Sequence, residues 1–225
     1  MVYRRVVLND LELADELSDV LVKAGAVDEK TELSLRKVSD KYNLNTRGLE
    51  RLSAEPILSA PIIDHPTVHR VHMPFMGFSV NSWIFLRGSD IILIDTGEKA
   101  DAILEKLKEL NVTPTHLMIT HNDPDHVGGF WALMKKYPDL TPAPCQLIET
   151  GGHCMEHSSF YFPDERVCFC GDALFAGSMG RPNISYEQSR KSVNKLLDLP
   201  EETSLFSGHG PATTVARERK YNCFA

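Results

Sequence analysis

No apolar run in this chain is long enough to cross a bilayer, and its first ten residues carry too short an apolar region for a secretory signal. A membrane role is excluded on that reading, and the cytoplasm is the expected compartment. A basic stripe is missing too. At a net charge of -7 the chain offers no face for phosphates, so nucleic acid is excluded as a partner. Cysteine is scarce: Cys145, Cys154, Cys168, Cys170 and Cys223 form an odd set without zinc-ribbon spacing, which fits reduced thiols rather than a disulfide framework. Cys168 and Cys170 alternate in a strand-like run and read as packing residues. What remains is an ordinary globular composition, 42% hydrophobic and 24% charged over 225 residues, enough for one substantial domain and a small appendage.

The expected division is 1–62, a helical extension and linker, and 63–225, the main domain. In the extension, Leu13, Leu17, Val20, Leu21 and Ala24 recur at helical spacing, with Asn9 or Asp10 to cap the start and Gly25 at the stop. A second helix is expected from Glu29 to Tyr42, with Leu35, Val38 and Tyr42 inward. The stretch from Leu35 to Leu52 is faintly similar to a helix-turn-helix. Acidic side chains outnumber basic ones there and upstream, so a helical cap or homodimerisation element is the expected role. Ala54 to Pro66 reads as a linker.

From Val68 the pattern turns to short β-runs. Val68 to Met73, Val80 to Leu86 and Asp90 to Ile94 predict antiparallel strands, with a turn at Arg87-Gly88-Ser89. Asp95 follows the third, where it either caps local backbone N–H groups or orients a metal ligand from behind. An amphipathic helix is predicted over Ala100–Leu110, a strand over His116–Thr120 and a helix from Gly129 to Tyr137. Strands are expected at 145–150, Phe160–Pro163, Arg166–Cys170 and Ser204–Ser207, and a helix at Ser185–Leu197. Several of these strands end in histidine or aspartate beside glycine, a place where a β scaffold holds ligands rigidly.

One loop concentrates the chemistry. In Thr120-His121-Asn122-Asp123-Pro124-Asp125-His126-Val127-Gly128-Gly129, two imidazoles and two carboxylates lie within six positions, between a strand and a helix start. Four ligating groups held that close repel or stay unpaired unless a cation sits among them, so the loop reads as a metal site. An exposed polar turn is the bland alternative.

This loop, with Leu93–Gly97, Gly152-His153, Phe169–Arg181 and Ser207–Thr214, resembles the metallo-β-lactamase fold superfamily, most closely its small glyoxalase-II-like hydrolases. The resemblance covers about residues 68 to 224 and leaves residues 1–60 aside. It implies an α+β protein, an αβ/βα sandwich with the N-terminal helical extension appended. It implies two divalent metal ions, iron or zinc with manganese as a further candidate. His121, Asp123 and His153 would hold one ion; Asp125, His126 and His209 the other; Asp172 would bridge them. His157 would be a hydrogen-bonding pocket residue, and His65, His69, His72 and His116 match no motif.

Three departures qualify the pattern. Asp123 stands where the family usually has histidine. Three carboxylates and a hydroxide cancel the charge of two divalent ions, which weakens the Lewis acid, and oxygen-rich ligation favours iron or manganese over zinc. Flavodiiron and related oxygen-binding di-iron proteins are similar in this respect. The segment from His126 to His153 is short. The C-terminal helical domain of true glyoxalase II is not expected after Ala225, so glutathione thioesters are not the expected substrate. The resemblance thus implies a hydrolase of small acyl compounds, thioesters or lactones, in which a metal-bridging hydroxide attacks and Asp125 orients it or takes its proton. The alternatives are a non-hydrolytic di-iron protein that binds or reduces oxygen, and a non-catalytic member.

Overall fold

Period-two alternation builds both sheets. Within strand β2 (Phe78–Arg87), Trp83 and Phe85 face one way and Ile84 the other; within β3 (Asp90–Ile94), Ile92 and Ile94 are separated from Leu93 in the same manner. The computed structural model describes residues 37, 39–40, 44–49, 65–76 and 78–225. One sheet runs in the order β1 (Val68–Phe75), β2, β3, β4 (His116–Met118), antiparallel except for the parallel pair β3 and β4. The other runs β5 (Gln146–Glu149), β6 (Ser158–Phe162), β7 (Val167–Gly171), β8 (Ser204–Ser207), β9 (Thr213–Thr214), with only β7 and β8 parallel.

The inward faces meet in an aromatic core. Phe85 lies 5.1 Å from Phe162 and Trp83 lies 4.9 Å from Phe206, ring centre to ring centre and edge-on. Full burial of such rings contributes roughly 1.5–3 kcal/mol each. The outer face of the first sheet packs against helices α1 (Asp101–Glu109) and α3 (Phe130–Lys136) through Ile103, Leu107 and Leu133. The outer face of the second, including Cys168 and Cys170, packs against α4 (Tyr186–Leu197) and α5 (Val215–Tyr221) through Val193, Leu196 and Val215. The result is the αβ/βα sandwich that the resemblance implies.

Differences from the predicted elements have local causes. The apolar run to Thr120 does not pair beyond Met118, because the Thr120 N–H donates to Asp95 Oδ1 (2.7 Å) instead of to a strand. The loop after it holds a single helical turn, α2 (Pro124–Val127), with Pro124 in its first turn. Strand β9 and helix α5 were not predicted at all. The helices expected at Asn9–Gly25 and Glu29–Tyr42, the Leu35–Leu52 likeness and the boundary at residue 62 fall largely outside the described residues. Of the extension, residues 46–49 are helical, and Leu44 and Leu49 are buried beside Phe224 and Leu196 in the core of the second sheet and its helices. No helix among the described residues is long and apolar enough to cross a membrane.

Candidate metal centre

Parallel pairing decides where the site forms. Because β3 runs with β4, and β7 with β8, their C-terminal ends open at common edges, and Asp95, His121, Asp172 and His209 follow those ends directly. His153 enters from the loop after β5, and Asp125 and His126 lie on α2. Two mutually close triads result, His121–His153–Asp172 and Asp125–His126–His209, all six residues buried. Asp172 reaches both: its Oδ1 is 3.5 Å from His126 Nε2, and its Oδ2 is 3.8 Å from His153 Nε2 and 3.3 Å from His209 Nε2. Asp125 Oδ2 lies 3.5 Å from His209 Nε2 and 3.9 Å from His126 Nε2. These are the separations expected between ligands on one cation, since bonds of about 2.0–2.1 Å set ligand atoms roughly 3.3 Å apart. Asp123 is also brought here, but at the rim: its half-exposed carboxylate lies 3.1 Å from His153 Nε2 and 3.6 Å from His121 Nε2.

The outer partners determine which nitrogen of each imidazole faces inward. Asp95 Oδ2 accepts from the Thr120 hydroxyl (2.8 Å) and from His126 Nδ1 (2.8 Å). With its one proton given to Asp95, Thr120 Oγ1 can only accept from His121 Nδ1 (2.9 Å). His153 Nδ1 donates to the Arg181 carbonyl (2.7 Å) and His209 Nδ1 to the Ser79 carbonyl (2.6 Å). All four rings therefore present Nε2 to the centre, the tautomer a metal requires. Of these atoms, Nε2 of His121 and His126 and Oδ1 of Asp172 are buried with no hydrogen-bond partner. Buried ligating atoms without a partner, converging on one volume, fit a divalent cation.

His157 has the same tautomer, but its Nε2 is taken up by the protein backbone. Its Nε2 accepts from the Asp172 backbone N–H (3.1 Å), so its Nδ1 donates to Thr150 Oγ1 (2.9 Å). Burial, reinforced by His121, lowers its pKa to about 3, and it supports the Asp172 turn from outside as a neutral ring. Asp95, in turn, caps the Thr120 N–H, as one of its two expected roles has it, and also contacts the His126 ring directly and the His121 ring through Thr120.

Charge in the centre is unbalanced. Burial pushes His126 down, but Asp172, Asp95 and Asp125 outweigh it and raise its pKa to about 9. Burial likewise works against Asp172, yet His209 and His126 hold its carboxyl well below the usual range. The close approach of the His121 ring, with His153 beside it, depresses Asp123. Space is as tight as charge. A Cβ on Gly208 would overlap Asp172 Oδ1 and His126 Cε1, so glycine lets the chain pass close behind these two side chains. Cys154, beside His153, is pushed up to about 11 by burial and the nearby Asp123 and Asp172, and so remains a neutral thiol.

Comparison with known proteins agrees with this geometry. The Metallo-beta-lactamase superfamily profile matches residues 76–143 and 146–209, more than half of the chain, and the chain belongs to that superfamily. A hydroxyacylglutathione hydrolase of Buchnera aphidicola subsp. Baizongia pistaciae is 30% identical over 154 residues, 56% of this chain and 61% of the relative. The chain thus matches about three-fifths of that relative's length. A probable metallo-hydrolase of Bacillus subtilis, YqgX, is 26% identical over 200 residues, 68% of this chain and 95% of the relative. Among solved structures, TTHA1623 in a di-iron-bound form superposes with a TM-score of 0.60 at 26% identity, over 68% of this chain and 99% of that one. The family and the paired His/Asp triads together mark a divalent-metal site.

Proposed function

We propose that this protein is a dinuclear metal-dependent hydrolase of small acyl compounds, thioesters or lactones. The observation that carries the proposal is the pair of triads joined through Asp172, with Nε2 of His121 and of His126 and Oδ1 of Asp172 buried and without a hydrogen-bond partner. His121, Asp123 and His153 would hold one ion, Asp125, His126 and His209 the other, and Asp172 both. Bound there, two divalent ions supply a Lewis acid for an acyl carbonyl and acidify water enough for it to attack near neutral pH.

The chain's own residues do the rest. Asp125 presents Oδ2 toward both His126 and His209 and is the group placed to orient the attacking water and take its proton. Asp95 holds the His126 and His121 rings in the tautomer that keeps Nε2 free. His157 fixes the backbone of Asp172. A small-molecule substrate is the expected partner, and the relatives' names place hydroxyacylglutathione thioesters on the panel to be tested. The homodimer expected through the N-terminal helices remains a separate proposal.

A second reading is favoured by one observation, the carboxylate of Asp123 beside His121 and His153. There the protein would hold two irons and bind or reduce oxygen, with electrons from a separate donor. Metal analysis of anaerobically purified protein, with thioesterase and lactonase assays, separates the readings. Two zinc or manganese ions with acyl turnover support the hydrolase. Two irons, an absorption band that grows in air and no turnover support the oxygen reading, and less than one metal per chain overturns both. Asp123→His should raise zinc occupancy and hydrolysis together, and no change in either would count against the charge argument.

A further inference from the structure

Triad Asp125–His126–His209 is assembled from both sheets: Asp125 and His126 follow β4, while His209 follows β8. Something must hold the 207–210 loop against the first sheet. We infer that Asn81 is the positioning residue that does so, an inference that rests on the metal-site reading above.

Asn81 lies in β2, opposite His72 of β1, and is fully buried. Its Nδ2 donates to the Ser207 carbonyl (3.0 Å) and to the Gly210 carbonyl (2.9 Å), the two that bracket Gly208-His209. Its backbone N–H donates to the Gly208 carbonyl (2.7 Å). One residue of the first sheet thus satisfies three carbonyls of the 207–210 loop, whose own sheet partner is Gly171 of β7. Trp83 Nε1 adds a bond to the Ser207 carbonyl (3.1 Å), and Ser79 receives His209 Nδ1.

The orientation of the carboxamide is determined by donors that can only donate. Arg70 Nε lies 2.7 Å from Asn81 Oδ1, and an arginine has no acceptor, so the atom facing it is the oxygen. The NH2 group must then face Ser207 and Gly210, whose carbonyls can only accept. Reversal would set oxygen against oxygen on one side and N–H against N–H on the other. Arg70 therefore acts through Asn81, and Asn81 through the loop, on the direction of His209 Nε2 toward Asp125 and Asp172.

Asn81→Asp is the discriminating variant. It keeps the shape and the acceptor for Arg70 but puts an oxygen against two carbonyls, so the loop must withdraw. Titration of the metal-free chain with Co2+, followed by its visible d–d bands and by metal analysis after dialysis, reads the result. Wild type is expected to bind two ions per chain. In Asn81→Asp the second ion should bind roughly 10–100-fold more weakly, with the first retained. A purely structural role would lower the melting temperatures of metal-free and metal-loaded protein alike; a positioning role shrinks the rise that Co2+ produces. Two ions bound with wild-type affinity and an undiminished rise would overturn the inference. Wild type that binds no Co2+ would instead overturn the metal-site reading itself. Should Asn81→Asp not fold, Arg70→Gln, at a partly exposed position, is read the same way: a smaller weakening of the second ion supports the chain of contacts, and none overturns it.

Discussion

His126 shows how a single residue is set up for a cation. Its Nδ1 is committed to Asp95 and its Nε2 faces Asp172 and Asp125, so in the metal-free protein three carboxylates raise it against the effect of burial to about 9. The sign follows: at pH 7 the ring carries a proton that an ion must displace. Metal binding should therefore release about one proton from His126 at neutral pH, and apparent affinity should climb as pH rises toward 9. Calorimetry in two buffers of different ionisation enthalpy measures this, and equal heats in both would refute it. The same shift stabilises the metal-free fold below about 6.5, the ordinary histidine value, and that contribution is lost as pH rises through 9. None of this could be read from the loop motif, which shows that His126 is close to Asp125 but not that Asp95, 31 positions away, fixes its tautomer.

At the scale of elements, helix α5 explains a failure of pattern reading. Val215 and Glu218 are its buried residues, and a glutamate on the inward face hides the amphipathic period. Tertiary contacts make that glutamate necessary. Glu218 accepts from the Gly177 N–H (2.6 Å), Thr213 Oγ1 (2.5 Å), Arg217 Nη1 (2.6 Å) and Asn222 Nδ2 (3.0 Å). It ties α5 to the turn at 175–178, between Asp172 and the Arg181 carbonyl that holds His153. Glu218→Ala should lower unfolding free energy by about 3 kcal/mol or more, because several buried donors lose their acceptor together. Urea unfolding of the metal-free protein checks this; a loss under about 1 kcal/mol would show that the donors find water. By contrast β3 and β8 were predicted with the right bounds, since their alternation is set by plain apolar side chains.

For the whole molecule, the part played by the N-terminal side is larger than its sequence suggests. Leu44 and Leu49 are buried in the same cluster as Cys168, Leu196 and Phe224, and the Asn45 N–H donates to the Cys223 carbonyl (2.9 Å). Gly48 lies so close to the Cys223 backbone that a Cβ there would collide with it. Residues from the expected extension are thus core residues of the sandwich, joined to the other end of the chain. Leu49→Ala should cost about 2–5 kcal/mol, the range for a buried leucine deletion. A shift in urea midpoint no larger than that of a surface substitution would show that this segment is dispensable.

The sequence by itself determined the alternating strands, the strand-loop-helix around His121 to His126, and the family to which those motifs belong, because each is written in neighbours a few positions apart. Only the tertiary structure decided that Asp95 meets His126 Nδ1 and so fixes its tautomer, that His157 turns its Nε2 to a backbone N–H, and that Asn81 clamps the His209 loop 126 and 129 positions away. The physical reason is that tautomers, orphaned acceptors and cavities are properties of atoms brought together across the chain. Local periodicity reports which face of an element is buried; it carries no information about which distant donor will meet that face.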